Sequence, residues 1–434
     1  MAEAKAIYAT PISDRPPMPW KRWPAALGFV LAFNVGHILV HGMQLFMFVF
    51  IIVPLRLVFG VLGLSFGKVV HEELVRWSKA SYCLLLLVTT QWFSPTEFTV
   101  SMEGDLLKPE DVVVRDTNGR VVSLNLPTKK LVVMSNHQVY NDWSYTWNLL
   151  YFCNLHMDIF ITLKKSLKWL PVIGWGMQFF RFIFMARSWA DDKDTLAREL
   201  ARLGKRSEVS DQPLALIVFP EGTLVSKDTR PISKKFADKM GISDGRYTLL
   251  PRSTGMLYAL RSLSPRVADL HVLDITIAYP GVPPMGYGQN YYTLRSIGIY
   301  GAPPPRVHIH LKLYNVKRDV PIGKIDPNSS DVSEEDRVKF DEWMRERFVK
   351  KDEEFERYYA TGSLAGVESH EIQGPATVAT PLLAKQHTPR EVSIPIKLRS
   401  PWEVLDAFTV PGPAAWGLLS GSLRLRRVKI GTNL

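Results

Sequence analysis

The chain has 434 residues, with 53 Lys and Arg against 42 Asp and Glu, and a formal net charge of +11. At 46% hydrophobic and 22% charged it can bury a sizeable core, and its two cysteines exclude a disulfide scaffold and a four-cysteine zinc site. The positive excess suits nucleic acid, an anionic membrane face or phosphorylated small molecules alike, so only the placement of the bases separates these.

Residues 1–22 read as a polar N-terminal tail. From position 23 to 55 no Asp, Glu, Lys or Arg occurs. A helix crossing the hydrocarbon core needs about 20 apolar residues, so this run is long enough to span. Lys21, Arg22 and Arg56 bracket it, and Trp20 and Trp23 stand where interfacial aromatics gather. Asn34, His37, His41 and Gln44 fall near one helical stripe, with Gly36 and Gly42 among them. The stripe predicts a polar seam against a second helix; a metal or proton site at His37 and His41 is the alternative, without a carboxylate to complete it. The second helix is expected within 80–96, short for a span and therefore re-entrant or interfacial. Residues 23–96 are read together as membrane-anchoring helices. Between the two runs, Gly63-Leu64-Ser65-Phe66-Gly67 spells the nucleophile elbow of serine hydrolases, but without the preceding strand that motif needs.

After position 97 short apolar runs alternate with turns. Residues 112–114 and 121–122, around Asp116-Thr117-Asn118-Gly119, predict a hairpin. Strands are expected at 131–134, 214–219, 272–279 and 307–314, with helices between them at 194–203 and 256–263. That alternation predicts an α/β fold, a sheet flanked by helices, over a domain spanning 97–362. Phe340, Trp343, Met344, Phe348 and Phe355 give 333–359 the spacing of a long amphipathic helix closing the domain. Residues 363–434 read as a low-complexity linker. It ends in a basic tail (Arg424, Arg426, Arg427, Lys429) suited to an anionic membrane surface or to solvent.

Three places could carry chemistry. Asn136-His137 and Asp142 directly follow the strand at 131–134, at the strand end where α/β sheets build their sites. Five residues on one helix would put His137 and Asp142 on different faces, so His137 is expected in the turn and Asp142 in the first helical turn. There the carboxylate accepts from one ring nitrogen and leaves the other basic. Phe219-Pro220-Glu221-Gly222-Thr223 is a second polar turn after a core strand, suited by its backbone N–H groups to an anion or an ester carbonyl. If the two strands are neighbours, the turns share one crevice. Third, Lys164, Lys165 and Lys168 precede an apolar run at 169–185, broken by Gln178 and Arg181 and followed by Arg187. This reads either as cations and a greasy surface for a phosphorylated chain, or as a buried core helix. His308 and His310 alternate on one strand face. With no Cys or carboxylate nearby in sequence, a solvent-facing surface is expected there, and no metal. Cys153 reads as a small buried residue. No nucleic-acid module is recognisable and the bases are dispersed.

These motifs in combination resemble the glycerophospholipid acyltransferases that use acyl-CoA, over about residues 90–362. The resemblance makes His137 the general base and Asp142 its orienter. It places Asn136, Arg187, Glu221, Gly222, Thr223 and Arg252 at the substrates, with 219–223 at the acceptor's glycerol phosphate. Residues 272–280 look like the family's hydrophobic fourth motif. Leu167-Lys168-Trp169-Leu170-Pro171 and Pro251-Arg252-Ser253-Thr254-Gly255 are similar to the branch acting on lysophosphatidic acid, lysophosphatidylinositol or lysocardiolipin. Leu224 stands where many members have Arg, leaving Arg230 or Arg252 to supply a second phosphate-binding cation. The implied activity is transfer of an acyl group from acyl-CoA to a lysophospholipid, lysophosphatidic acid first, by His general-base catalysis without a covalent intermediate. The implied partners are acyl-CoA, the lysophospholipid acceptor and a lipid bilayer, with no nucleic acid and no cofactor beyond the co-substrate. The implied location is the endoplasmic reticulum membrane, with the catalytic domain facing the cytosol. A non-enzymatic lipid-binding or transfer protein on the same fold is the rival reading, against which the intact His137 and Asp142 stand.

Overall fold

The computed structural model describes residues 6–61, 66–186, 188–325, 332–366 and 391–408. It opens with α1 (Trp23–Met47), which passes through a π-helical turn at Phe48–Ile52 into α2 (Val53–Val61). Among the described residues this run, Trp20–Val61, is the one helical stretch long and apolar enough to cross a membrane by length and composition. One face of α1 is exposed and apolar (Leu27, Leu31, Ile38, Leu45, Phe46), while Gly36, His37, His41 and Gln44 are buried. The buried face packs on α3 (Phe66–Phe93). The expected polar seam forms: His37 Nε2 lies 3.2 Å from the Tyr82 hydroxyl, and His41 Nδ1 lies 2.8 Å from Gln44 Oε1. Glycine is required at position 36, where a Cβ would sit 2.4 Å from Leu85 Cδ1.

Helix α3 corrects the expectation for 80–96. It starts 14 residues earlier, and its run from Cys83 to Val88 is wholly inside the protein, with Leu85, Leu87 and Val88 at 0% exposure. A leucine run this short is core packing and not a membrane segment. Its polar first half ties into the domain through Arg76, which donates to both Asp158 oxygens at 2.9 and 3.1 Å.

The domain follows as β1 (Glu97–Glu103), α4 (Pro109–Val112), β2 (Val113–Arg115), β3 (Val121–Leu124), β4 (Lys130–Ser135), α5 (Asp142–Phe152), β5 (Ile159–Lys164), α6 (Ile173–Phe179), β6 (Ile183–Met185), α7 (Trp189–Ser210) and β7 (Leu214–Val218). It continues with α8 (Arg230–Met240), α9 (Ser253–Leu263), β8 (His271–Ala278), β9 (Arg306–Asn315), α10 (Val316–Asp319) and α11 (Glu334–Thr361). The expected 112–122 hairpin is present as β2–β3, with Asp116 Oδ1 accepting from the Asn118 and Arg120 amides and Gly119 at φ 77°. The long closing helix is α11.

Eight strands form one sheet in the order β10-β1-β9-β8-β4-β7-β5-β6, where β10 (Val392–Pro395) comes from the C-terminal segment. Strands β8, β4, β7, β5 and β6 run parallel to one another. The period of two divides their side chains between faces: Leu131 and Val133 of β4 join the core under α3 and α5, while Val132 and Met134 join the core under α7, α9 and α11. Strand β10 pairs antiparallel with β1, and α12 (Glu403–Phe408) packs on α3. Residues 391–408 therefore belong to the folded unit, although the sequence reads as linker there. A four-residue strand paired some 290 positions away leaves no local period to detect. The basic tail at Arg424, Arg426, Arg427 and Lys429 lies outside the described residues, as do Gly63, Leu64 and Ser65 of the elbow-like motif.

Candidate active site

Because β4 and β7 are hydrogen-bonded neighbours, the turns that follow them meet at one end of the sheet, as the sequence requires for a shared crevice. Strand β4 ends in a clamp. The amide of Asn136, itself at 0% exposure, donates to the Ile277 carbonyl at 3.0 Å and accepts the Ile277 N–H at 2.8 Å. Both ends of that side chain are spent on β8, which corrects the expectation that Asn136 touches substrate; it fixes where the chain turns.

Asp142 opens α5 in its first turn, at 0% exposure. Its Oδ2 receives the amides of Gln138 at 2.6 Å and Val139 at 2.9 Å and faces His137 Nδ1 at 2.8 Å. Its Oδ1 receives the Tyr279 hydroxyl at 2.5 Å. A carboxylate oxygen can only accept, so His137 Nδ1 carries the proton and Nε2 carries the lone pair. The His137 ring lies on Phe219, centroids 4.4 Å apart and planes at 25°. It stays 20% exposed beside an Asp142 with no exposure at all, which leaves the Nε2 edge as the open one. This is a base held by its far nitrogen and partly exposed at the end of the sheet.

Glu221 is turned to backbone amides. Its Oε1 accepts the His137 amide at 2.7 Å and its Oε2 accepts the Leu249 amide at 2.9 Å, so one buried carboxyl ties three loops together. Burial pushes its pKa up to about 8, against the pull of the two amides. Gly222 adopts φ 70°, and its N–H donates to the Phe219 carbonyl at 2.9 Å, so this turn amide is not free for an anion as the sequence reading supposed. A Cβ at Gly222 would lie 3.3 Å from Arg252 Nε, which places the exposed Arg252 guanidinium directly over the turn. Thr223 is half-buried in the same turn.

The other candidate cation, Arg230, is committed elsewhere: it donates to the carbonyls of Gly245 at 2.6 Å and Thr248 at 2.7 Å. Arg252 is therefore the described cation available at this turn. Arg187 lies outside the described residues. Lys164 and Lys165 are exposed at the end of β5 on the same side of the sheet as His137. Beyond them the run at 169–185 is neither one buried helix nor a smooth apolar surface: it breaks into α6 and β6, with Trp169 77% and Trp175 62% exposed.

Two histidine expectations need correction. His308 and His310 are buried, and His310 meets carboxylates that are remote in sequence, Glu103 Oε2 at 3.2 Å and Glu354 Oε1 at 3.8 Å. The Lys312 ammonium already neutralises that pair, at 2.8 Å from Glu103 and 3.3 Å from Glu354. Cys153 is buried as expected, its thiol pushed up to about 12 by burial. Phe219 and Tyr279 fall inside motifs read from the sequence, but their roles do not show there: Phe219 carries the His137 ring and Tyr279 bonds Asp142. Each directly follows a core strand.

The acyltransferase family profile matches residues 120–279. A 2-acyl-1-lysophosphatidylinositol acyltransferase of Saccharomyces cerevisiae is 40% identical over 261 residues, 54% of this chain and 62% of the relative's length. An uncharacterized acyltransferase of Schizosaccharomyces pombe is 30% identical over 344 residues, 79% of this chain and 85% of that one. Lysocardiolipin acyltransferase 1 of Gallus gallus is 33% identical over 238 residues, 55% and 56% of the two chains. Among solved structures, the 1-acyl-sn-glycerophosphate acyltransferase of Thermotoga maritima covers 77% of this chain and 96% of its own at 16% identity and TM-score 0.36, too low a score to equate the folds. With 85% of the Schizosaccharomyces pombe relative matched and the His137–Asp142 pair at the sheet's end, the chain belongs to the glycerophospholipid acyltransferase family.

Proposed function

We propose that this protein transfers a fatty acyl group from acyl-CoA to the free hydroxyl of a lysophospholipid. The carrying observation is the His137 ring, pinned through Nδ1 by Asp142 and 20% exposed. His137 Nε2 takes the hydroxyl proton as the oxygen attacks the thioester carbonyl. The tetrahedral intermediate then collapses, the C–S bond breaks and CoA leaves as a thiolate, to which the imidazolium returns the proton. No acyl group is attached to the protein at any stage. Asp142 holds the tautomer and offsets the charge on the imidazolium. Arg252, with Arg187, holds the acceptor's phosphate.

For the acceptor, lysophosphatidylinositol becomes the first candidate, because the relative 40% identical to this chain bears that name. Lysophosphatidic acid and lysocardiolipin are the alternatives. The exposed apolar face of α1, with Trp20 76% and Trp23 62% exposed at its start, supports attachment to a bilayer in which such acceptors reside. The endoplasmic reticulum, with the domain on the cytosolic side where acyl-CoA is available, is the proposed location. The test is to offer purified protein labelled acyl-CoA with a panel of lysophospholipids and identify the products by mass. Esterification of a phosphate-bearing acceptor, lysophosphatidylinositol foremost, is expected; no esterified product with any acceptor would contradict the proposal.

A further inference from the structure

A second polar site lies at the β6 edge of the sheet. A cavity of about 330 Å³ opens where α2, the start of α3, the residues before β6 and helix α7 meet, lined by Arg56, Lys68, His71, Glu72, Arg181 and Arg202. His137 follows the carboxyl end of β4, whereas Arg181 precedes the amino end of β6, three strands across the sheet. Four cations face one carboxylate there. Glu72 is already paired with Arg181. Arg202 gives Nε to Glu199 at 3.0 Å, and both of its terminal nitrogens are enclosed without a hydrogen-bond partner. Arg56 and Lys68 make no ion pair among the described residues. Arg56 and Lys68 thus line the cavity as positive charges without a carboxylate partner, and an anion is what would offset them.

The setting of Arg56 identifies the kind of anion. It lies inside Trp20–Val61, the described run long and apolar enough to cross a membrane, in which Leu57, Val58 and Val61 are 66%, 57% and 88% exposed. A free phosphate is much smaller than the cavity and would leave the apolar surface of α2 bare. A phospholipid would use both, with its phosphate against the cations and its chains along the valines and leucine.

We propose that this cavity binds the phosphate of an anionic phospholipid whose acyl chains lie along the exposed face of α2, at a site separate from the acyl-transfer centre.

Native mass spectrometry of the full-length protein, released from detergent after addition of phosphatidylglycerol or phosphatidylcholine, tests this. Wild type is expected to retain one phosphatidylglycerol, and so is Arg252→Gln, which removes the cation proposed to hold phosphate at the acyl-transfer centre and so separates the two sites; loss of the lipid in Arg252→Gln would overturn the proposal. The Arg56→Gln/Lys68→Gln variant is expected to retain it about tenfold less or weaker. The charge-preserving exchange Arg56→Lys/Lys68→Arg is expected to keep it, which distinguishes lost charge from lost fold. Millimolar inorganic phosphate or free CoA is expected to leave the lipid bound. Equal retention of phosphatidylglycerol by wild type and the glutamine variant would overturn the proposal, as would equal retention of phosphatidylcholine and phosphatidylglycerol by wild type. Displacement by inorganic phosphate or by CoA would assign the cavity to a soluble ligand and overturn it too.

Discussion

Two backbone amides, the Tyr279 phenol and the His137 ring converge on the single carboxylate of Asp142, so the orientation of His137 is fixed several times over. Tyr279→Phe removes one of these bonds, worth about 1 kcal/mol. Steady-state assays are expected to show kcat reduced about fivefold with little change in KM. Glu221 sets a pH dependence instead. Its carboxyl is raised from 4.5 to about 8, so the folded state favours the protonated form. The resulting stability is fully present below about pH 4.5 and is lost as the pH rises through 8. Scanning fluorimetry from roughly pH 5 to 8 is expected to show the wild-type melting temperature falling across that window, with a flatter profile for Glu221→Gln. That variant should also be less stable throughout, because its NH2 faces a backbone N–H where Glu221 offered an acceptor, at a cost of about 1–3 kcal/mol. At this scale the sequence makes legible what is close in sequence. His137 and Asp142 are five residues apart, and the contact expected between them forms. Tyr279 lies 137 positions from Asp142 and Leu249 lies 28 from Glu221, so neither contact leaves a local signature. Asn136 and Glu221 were misread for the same reason: their partners, Ile277, His137 and Leu249, come from elsewhere in the fold.

Among elements, α1 and α3 depend most on a single close approach. Any side chain at Gly36 enters the space of Leu85, whose own burial is complete. Gly36→Leu is expected to cost about 1–3 kcal/mol and to lower the melting temperature in detergent. Gly42, on the same helix, meets nothing within 4 Å, so Gly42→Leu serves as the control with little effect expected. The central strands and α11 were legible because each buries a long periodic face. The start of α3 was not: its first half is charged, through Glu72, Glu73 and Arg76, and carries the helix on by bonding to Asp158 and Arg181 instead of by apolar period. Strand β10 was hidden by its length of four residues and by the distance to β1.

At the scale of the whole molecule the net charge of +11 divides into separate duties. Lys164, Lys165 and Arg252 lie at the end of the sheet where His137 is presented, and Arg56, Lys68, Arg181 and Arg202 line the cavity at the sheet's β6 edge beside α2. The apolar surface of α1 is divided, one face packed on α3 and one left exposed. On the proposed function, the acceptor reaches the site from the membrane and the donor from water. Everything in that picture turns on His137 as the proton acceptor. Acyl transfer from labelled acyl-CoA to lysophosphatidylinositol by purified wild type and His137→Ala, with folding matched by circular dichroism, tests it most directly. A loss of at least about 100-fold in turnover, the lower range for a removed general base, is the predicted result; turnover near wild type in His137→Ala would contradict it.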